Sequence, residues 1–397
     1  MKKINRIHVI VTLALLTTVS CDDNVGETIE SSFLENVWVE PVYKFSRNGS
    51  SSVDVQECEF LKEPIDYFYN SFLRKANLKN ESSWIRAKQY YEEGEYGLKP
   101  KEELCSSSVH RTNRKKVMAD FDSLIENSKR IAGFFGPDTN GEDIRLREAA
   151  EGKSGYIGLT IADENILYAD EQGLVVSEAF NYAIMGAVYL DKILNLHLND
   201  EVIFSAENCA SHDNLELVRG KNYTVVEHHL DLAKGYYDYW KPLAASDGIT
   251  VLKGSDRKIL YAFVEARRQL IRSQYDLARE QLQIIKRELS KVAGVRAMSS
   301  LVGPNTLVNM QESPKYAFGF ISKACGLIYA LQFTIQEDGT PFFTYDEVKA
   351  LTDELKADVG FWNKERLLGN EDQSGSLRNI AAKIGVRFGI TLNEIEK

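Results

Sequence analysis

Residues 257–295 read RKILYAFVEARRQLIRSQYDLAREQLQIIKRELSKVAGV, and this stretch decides the fold class. Apolar side chains recur along it at spacings of three and four, which places them on one face of an α-helix. One helix of this length would extend about 55 Å at 1.5 Å per residue. We therefore predict a long helix over 257–295 whose apolar face packs in an antiparallel bundle. The apolar positions are Leu260, Val264, Ile271, Tyr275, Ala278, Leu282, Ile285, Leu289 and Val292.

The apolar pattern lapses between Val264 and Ile271, where Arg267 and Arg268 stand. At this position at least one of the two arginines is expected to point toward the bundle. A buried arginine needs an acidic partner, because an unpaired charge in the interior is strongly destabilising.

Helical periodicity dominates the rest of the chain and predicts an all-α fold of up-and-down helical bundles. Residues 41–58 contain Asn48-Gly49 and predict a short, extended, turn-rich segment before the first helix. Thr344 and Glu347 have the spacing of a capping box and predict a helix start. The further predicted helices cover residues 59–75, 81–93, 112–133, 174–197, 222–240, 314–333, 345–361 and 374–386.

The spacing F-x5-G-x2-Y occurs twice within apolar helices. A glycine inside a helix costs about 1 kcal/mol relative to alanine, so the two matching glycines predict close approach of neighbouring helices. Two explanations stay open: chance similarity of two core helices, or a duplicated bundle with pseudo-twofold symmetry. For a duplication, residues 41–397 would hold two bundles that divide near 245–255. The repeated residues are Phe180, Gly186 and Tyr189, and Phe320, Gly326 and Tyr329.

The amino-terminal residues 1–20 have the layout of a bacterial export signal, with basic residues, a short apolar run and a small residue before Cys21. The apolar run is too short to span a bilayer, which needs about 20 residues. We predict lipidation of Cys21, a flexible tether over 21–40 and attachment to the outer membrane or cell surface. Thr18 stands where a lipidation signal usually has a bulky aliphatic residue, so a secreted form and an uncleaved anchor stay as alternatives.

The formal net charge of the chain is −10. All charged residues of the signal are basic, so its removal would make the net charge of the chain more negative. An acidic chain without a basic footprint argues against a nucleic-acid partner. Four cysteines remain beyond Cys21, and three pairings would be possible in an oxidising envelope. They are Cys58, Cys105, Cys209 and Cys325.

The densest polar cluster is Glu227-His228-His229 with Asp231. On a helix Glu227 and Asp231 share a face, and His228 could meet Asp231. Two imidazoles and two carboxylates could bind a transition metal, bind a ligand or act in acid–base chemistry. The alternative is a helix-start carboxylate beside half-exposed histidines. Adjacent histidines diverge by about 100° on a helix, which makes joint ligation of one ion difficult.

Aromatic residues follow this cluster in the sequence GYYDYW over 235–240. They fit a helical core, and a carbohydrate-stacking surface is the alternative. The chain contains no H-E-x-x-H, no G-x-S-x-G and no P-loop motif, so we predict no catalytic residue. The aromatic side chains concerned are Tyr236, Tyr237, Tyr239 and Trp240.

Four stretches in this order resemble a family of Bacteroidetes-type lipoproteins that carry a domain of unknown function and are distantly imelysin-like. They are YKFSRNGSSSV (43–53), EHHLDLAKGY (227–236), AFVEAR (262–267) and SKACGLIYAL (322–331). The resemblance implies an all-α fold of two related bundles. Imelysin-like proteins are associated with iron uptake, and some were described as peptidases.

The chain departs from the imelysin-like pattern at two places. The G-x-H-x-x-E signature is absent, because Gly186 begins the sequence GAVYLD, which has no histidine. Ser322-Lys323-Ala324 stands where relatives tend to have Ser-Glu-Gly. An ancestral metal or acid–base site would therefore be altered or lost.

From these patterns we predict a lipid-anchored envelope protein that serves as an accessory binding component in iron or nutrient acquisition. Its partners would be the membrane, through Cys21, and outer-membrane uptake machinery, with a small molecule or iron species as ligand. The predicted site lies where helices 222–240 and 257–295 meet, with Glu227 or Asp231 paired to Arg267. Degenerate metallohydrolase and glycan-binding functions are the alternatives, and the sequence leaves cofactor, metal and ligand identity open.

Overall fold

The computed structural model of the chain describes residues 40–74, 81–94, 97–131, 146–158 and 166–396. The predicted signal peptide 1–20, Cys21 and the tether up to residue 39 lie outside these ranges. Helices dominate the described residues, which confirms the all-α prediction. From Pro41 onward the chain forms one compact unit. Within the described ranges, no helix is both long enough and apolar enough to cross a membrane.

Within the described ranges, the secondary structure consists of helices with two small antiparallel strand pairs. The strands are β1 (Ser46–Arg47), β2 (Ser50–Ser51), β3 (Gly155–Ile157) and β4 (Leu167–Ala169), with β1 paired to β2 and β3 to β4. The α-helices are α1 (Gln56–Phe68), α2 (Glu81–Glu93), α3 (Pro100–Glu103), α4 (Arg114–Ile131), α5 (Val176–Ile184), α6 (Asp200–Ile203), α7 (Ala206–Asp213), α8 (Val225–Ala244), α9 (Ser255–Ile271), α10 (Tyr275–Val302), α11 (Pro304–Glu312), α12 (Pro314–Ala330), α13 (Tyr345–Leu355), α14 (Lys364–Leu367) and α15 (Leu377–Phe388). Wider π-helical turns continue α1 over Tyr69–Leu73 and α5 over Met185–Leu190 and Lys192–His197. Short 3-10 turns cover Thr250–Leu252, Leu331–Phe333, Gly360–Trp362 and Leu392–Glu394.

The prediction of one helix over 257–295 is wrong, because the chain turns after Ile271 and forms the packed pair α9 and α10. Ser273 adopts a left-handed conformation with φ 53°. The amide of Ser273 donates to Leu270 O at 2.8 Å, and the amide of Gln274 donates to Gln269 O at 3.0 Å. These two bonds form a Schellman helix end, in which glycine usually takes the left-handed position. Because serine occupies this position instead of glycine, the helix end was not apparent from the sequence.

Other helix predictions agree with the structure except at their ends. The helix predicted over 81–93 is α2, whereas the one predicted over 345–361 ends at Leu355. The capping box is confirmed, since Thr344 Oγ1 accepts from the Glu347 amide at 3.2 Å and Glu347 Oε2 accepts from the Thr344 amide at 2.7 Å. Pro304 begins α11, where the missing amide hydrogen of proline costs no helical hydrogen bond.

The two helices of the repeat, α5 and α12, pack directly against each other. A Cβ atom on Gly326 would lie 2.5 Å from Ala179 O, and one on Gly186 would collide with Ala330. The prediction that these glycines mark close helix approach is confirmed. Since α5 precedes the predicted division near 245–255 and α12 follows it, helices from both sides share one core.

Candidate functional site

The first turn of α8 orients Glu227 toward the interior. Thr224 caps the helix, and its Oγ1 accepts from the Glu227 amide at 3.5 Å. In return, Glu227 Oε2 accepts from the Thr224 amide at 2.9 Å. This reciprocal capping fixes the side chain of Glu227 on the face of α8 that meets α9. Asp231, one turn later, lies on the same face.

Arg267 from α9 reaches both carboxylates of α8. Its Nη1 donates to Glu227 Oε1 at 2.5 Å, and its Nε donates to Asp231 Oδ1 at 3.3 Å. All three side chains have no solvent exposure, whereas Arg268 is exposed. The structure thus brings together three predicted site residues in the pairing that the lapse in the apolar pattern indicated.

Residues 43–52, here called the N-terminal segment, cover this ion-pair cluster. Tyr43 Oη donates to Asp231 Oδ1 at 2.6 Å. Arg47 donates to both carboxylate oxygens of Glu227, at 2.8 and 2.9 Å. The ring of Phe45 lies 5.2 Å from the guanidinium carbon of Arg267. A ligand could reach the cluster only if this segment moved away, so a ligand-binding role for these residues stays a prediction.

The two buried carboxylates have opposite pKa shifts. For Glu227, burial opposes ionisation, but hydrogen bonds from Arg47 and the charge of Arg267 outweigh it and lower the pKa to about 2. For Asp231, burial raises the pKa to about 7, against the attraction of Arg267 and the hydrogen bond from Tyr43. Because Glu227 meets two guanidinium groups and Asp231 meets one, Glu227 retains the negative charge more strongly.

A second concave site was not predicted from the sequence. It is a cleft of about 310 Å³ between α4, α5, α12 and α13, here called the α13 cleft. Its apolar floor includes Leu124, Ala179, Ala183 and Cys325. Small-molecule sites in proteins begin at about this volume and combine apolar walls with a few placed polar groups. Gly326 and Tyr329, two residues of the repeat, also line the cleft, so the repeat was a signal of it in the sequence.

The carboxylate of Asp120 lies at one end of the α13 cleft. Its Oδ2 accepts from the hydroxyls of Tyr329 at 2.9 Å and Tyr345 at 2.8 Å. Its Oδ1 accepts from Lys349 Nζ at 3.1 Å. These contacts connect α4, α12 and α13 around one acid, so they fix the position of the cleft wall.

A second carboxylate, Asp170, lies in the same cleft and organises the loop before α5. Its Oδ1 accepts from the amides of Gln172 at 3.0 Å and Leu174 at 2.9 Å. Its Oδ2 accepts from Asn127 Nδ2 at 3.1 Å. Burial raises the pKa of this carboxyl, although its hydrogen bonds favour the ionised form.

The model of the domain of unknown function DUF4856 matches residues 40–391, most of the chain. The chain belongs to the DUF4856 family. The matched region contains the N-terminal segment, the ion-pair cluster and the α13 cleft. No curated protein and no solved structure matches the chain.

In this DUF4856 domain, His228 and His229, which follow Glu227 on α8, face different neighbours. His228 stacks on Tyr223 with ring centroids 4.3 Å apart. His229 Nδ1 lies 3.1 Å from Nδ1 of His197, and burial lowers the pKa of His229 to about 4. A hydrogen bond between these nitrogens requires one ring to donate and the other to accept. Among the described residues, no group of three or more His, Cys, Asp or Glu side chains is placed to hold a metal ion.

The aromatic residues that follow are mostly core residues of the DUF4856 domain. Tyr236, Tyr237 and Trp240 have no solvent exposure, and Tyr239 is half-buried. A carbohydrate-stacking surface built on the first three is therefore wrong, since a sugar cannot reach their rings. These three side chains pack within the hydrophobic core.

The four cysteines of the DUF4856 domain are free thiols. Three are buried, and burial raises the pKa of Cys325, on the floor of the α13 cleft, to about 12. A thiol in this environment stays protonated at neutral pH and acts as a small apolar group.

Proposed function

We propose that this DUF4856 protein is a lipid-anchored component of the Gram-negative envelope that binds a small ligand in the α13 cleft. The observation that carries the proposal is the cleft itself, with an apolar floor and polar groups contributed by α4 and α13. This combination is typical of small-molecule sites. The ion-pair cluster is covered and internally paired, which makes the α13 cleft the more accessible site.

The anchor is supported by the layout of residues 1–20 and by Cys21 directly after Ser20. The family match begins at residue 40, so residues 21–39 lie between the predicted lipid and the domain. A diacylglycerol chain with an additional acyl chain would hold the protein stably on a membrane.

The role in iron or nutrient acquisition rests on the resemblance to imelysin-like proteins. The resemblance implies two related helical bundles, and the packing of the repeat helices α5 and α12 is compatible with a common origin. Outer-membrane uptake machinery would then be the partner, and the DUF4856 domain would hold a ligand for it.

Ligand binding is tested with Ser123→Trp, because Ser123 is exposed at the edge of the cleft and an indole there would cover the opening. Lys115→Trp, also exposed on α4 but outside the cleft lining, is the matched control. Each protein is mixed with a small-molecule extract of the envelope, and retained compounds are identified by mass spectrometry. We expect compounds that the wild type and Lys115→Trp retain and Ser123→Trp does not. Equal retention by all three would refute binding in the cleft.

The anchor is tested by metabolic labelling with radioactive palmitate. We expect the wild-type chain to carry label and to sediment with membranes, and a Cys21→Ser chain to lose the label. An unlabelled wild-type chain would show that the anchor is wrong, while leaving the test of ligand binding unaffected.

A further inference from the structure

We infer that the α13 cleft takes a small organic carboxylate, whose charged group lies beside Lys349 and Lys356 and whose apolar part lies on the floor. This inference rests on the proposed function and specifies the chemical class of the ligand. It follows from the placement of α13, from the hydrogen bonds already made by the acids of the cleft, and from the composition of the floor.

One face of α13, together with Lys356 directly after its last residue, supplies the cationic side of the cleft. Lys349, Thr352 and Lys356 follow one another at spacings of three and four, so they share a helix face, and all three line the cleft. The side chains of Lys349 and Lys356 are 34% and 28% exposed, so neither is enclosed by the protein. Both lysines can donate hydrogen bonds to an anionic group of a ligand.

The acids of the cleft have hydrogen-bond donors within the protein. Both oxygens of Asp120 accept from side chains, and both oxygens of Asp170 accept from amides. A carboxylate offers about four acceptor positions, and three are used in each case. A cationic ligand would therefore compete with donors that already hold these acids.

The lysines, in contrast, retain donors. An ammonium group has three N–H donors. Lys349 uses one on Asp120. Among the described residues, the acid that Lys356 meets is Asp353, at 3.6 Å. Asp353 is two-thirds exposed and lies three residues before Lys356, and exposed ion pairs of this kind contribute little to stability. An anionic ligand would satisfy the unused donors with little competition.

The floor of the cleft fits the apolar part of such a ligand. Leu124, Leu174, Ala179 and Ala183 line it together with the protonated thiol of Cys325. Removal of a ligand's apolar surface from water onto these side chains favours binding. A ligand with a carboxylate and an apolar body would use both parts of the cleft, whereas inorganic phosphate would use only the lysines.

The inference is tested by calorimetric titration of the purified full chain with benzoate, benzyl alcohol and benzylamine, which share a ring and differ in charge. We expect benzoate to bind about tenfold more tightly than either of the others. Lys356→Gln should weaken benzoate binding about tenfold, and Lys356→Arg, which retains the charge, should preserve most of it. Lys253→Gln, an exposed lysine outside the cleft lining, is the control that should leave binding unchanged.

Equal or tighter binding of benzylamine or benzyl alcohol would overturn the carboxylate assignment, and so would benzoate binding that Lys356→Gln leaves unchanged. Absence of benzoate binding would also overturn it. These outcomes are distinct from failure of the proposed function, which is read from the Ser123→Trp experiment. If extract compounds depend on an open cleft while benzoate shows no preference, the cleft binds a ligand of another class.

Discussion

Arg267 Nη1 lies 2.5 Å from Glu227 Oε1, and neither side chain has any solvent exposure. Glu227 also accepts from Arg47 of the N-terminal segment, so one carboxylate joins this segment, α8 and α9. Burial of an ion pair costs the solvation free energy of both charges. Close, well-oriented contacts between the two partners offset this cost. Removal of Arg267 would leave Glu227 with Arg47 as its remaining guanidinium partner, and Asp231 would keep the hydrogen bond from Tyr43 but lose its cationic partner.

We expect Arg267→Met to lower the free energy of unfolding by about 3–5 kcal/mol, because Glu227 and Asp231 lose their shared buried partner. Urea unfolding followed by circular dichroism measures the loss. Arg268→Met, on the neighbouring exposed position, is the control and should change stability by no more than about 0.5 kcal/mol. Similar losses in the two variants would contradict a special role for the buried guanidinium.

The N-terminal segment should open locally when its arginine is removed. In Arg47→Gln the two hydrogen bonds to Glu227 are weakened, while the core helices keep their contacts. We expect the Ser52 amide, which donates to Phe45 O at 3.0 Å, to exchange its hydrogen about tenfold faster or more. Hydrogen-exchange mass spectrometry measures this, with the exposed Lys44→Gln as the control. Unchanged exchange at Ser52 would show that other contacts hold the segment.

The low pKa of Glu227 predicts a dependence of stability on pH. Its folded pKa of about 2 lies below the ordinary value of 4.5, so the folded state holds the carboxylate ionised where the unfolded chain takes up a proton. Its contribution is present above pH 4.5 and is lost as pH falls toward 2, with a total of about 3 kcal/mol. The stability difference between wild type and Glu227→Gln should therefore shrink over this interval in urea titrations. A difference that stays constant from pH 6 to 2.5 would rule this out.

Sequence patterns predicted the parts of the fold and site that depend on local chemistry. The capping box at Thr344 and the helix over 81–93 follow from short-range signals. The partnership of Arg267 with acids of α8 followed from a lapse in periodicity, because an arginine on an apolar face has few alternatives to an ion pair. The two repeat glycines also indicated close packing. Glycine destabilises a helix, so its presence there is explained where a neighbouring helix leaves no room for a Cβ atom.

The remaining features depend on contacts between distant parts of the chain, which produce no periodic pattern in the sequence. Ser273 adopts the left-handed conformation that glycine usually provides, so the turn between α9 and α10 resembled continuous helix. Arg47 contacts Glu227 across 180 residues of sequence, and no local sequence pattern around either residue predicts the contact. The α13 cleft is assembled from four separate helices, and only their packing brings Asp120 and Lys349 together.

The close packing of α5 on α12 should depend on Gly326. A Cβ there would lie 2.5 Å from Ala179 O and 2.8 Å from the Ala183 amide nitrogen, and backbone atoms cannot rotate away. We expect Gly326→Ala to destabilise the fold by about 1–3 kcal/mol in urea unfolding. Gly319→Ala, on the same helix, would meet a side chain, that of Leu167 at 3.2 Å, and no backbone atom of the described residues within 4 Å. It should therefore be neutral or gain up to about 1 kcal/mol from helix propensity. Equal stability of the two variants would mean that the helices can separate without loss, and the close approach would then not hold the core together.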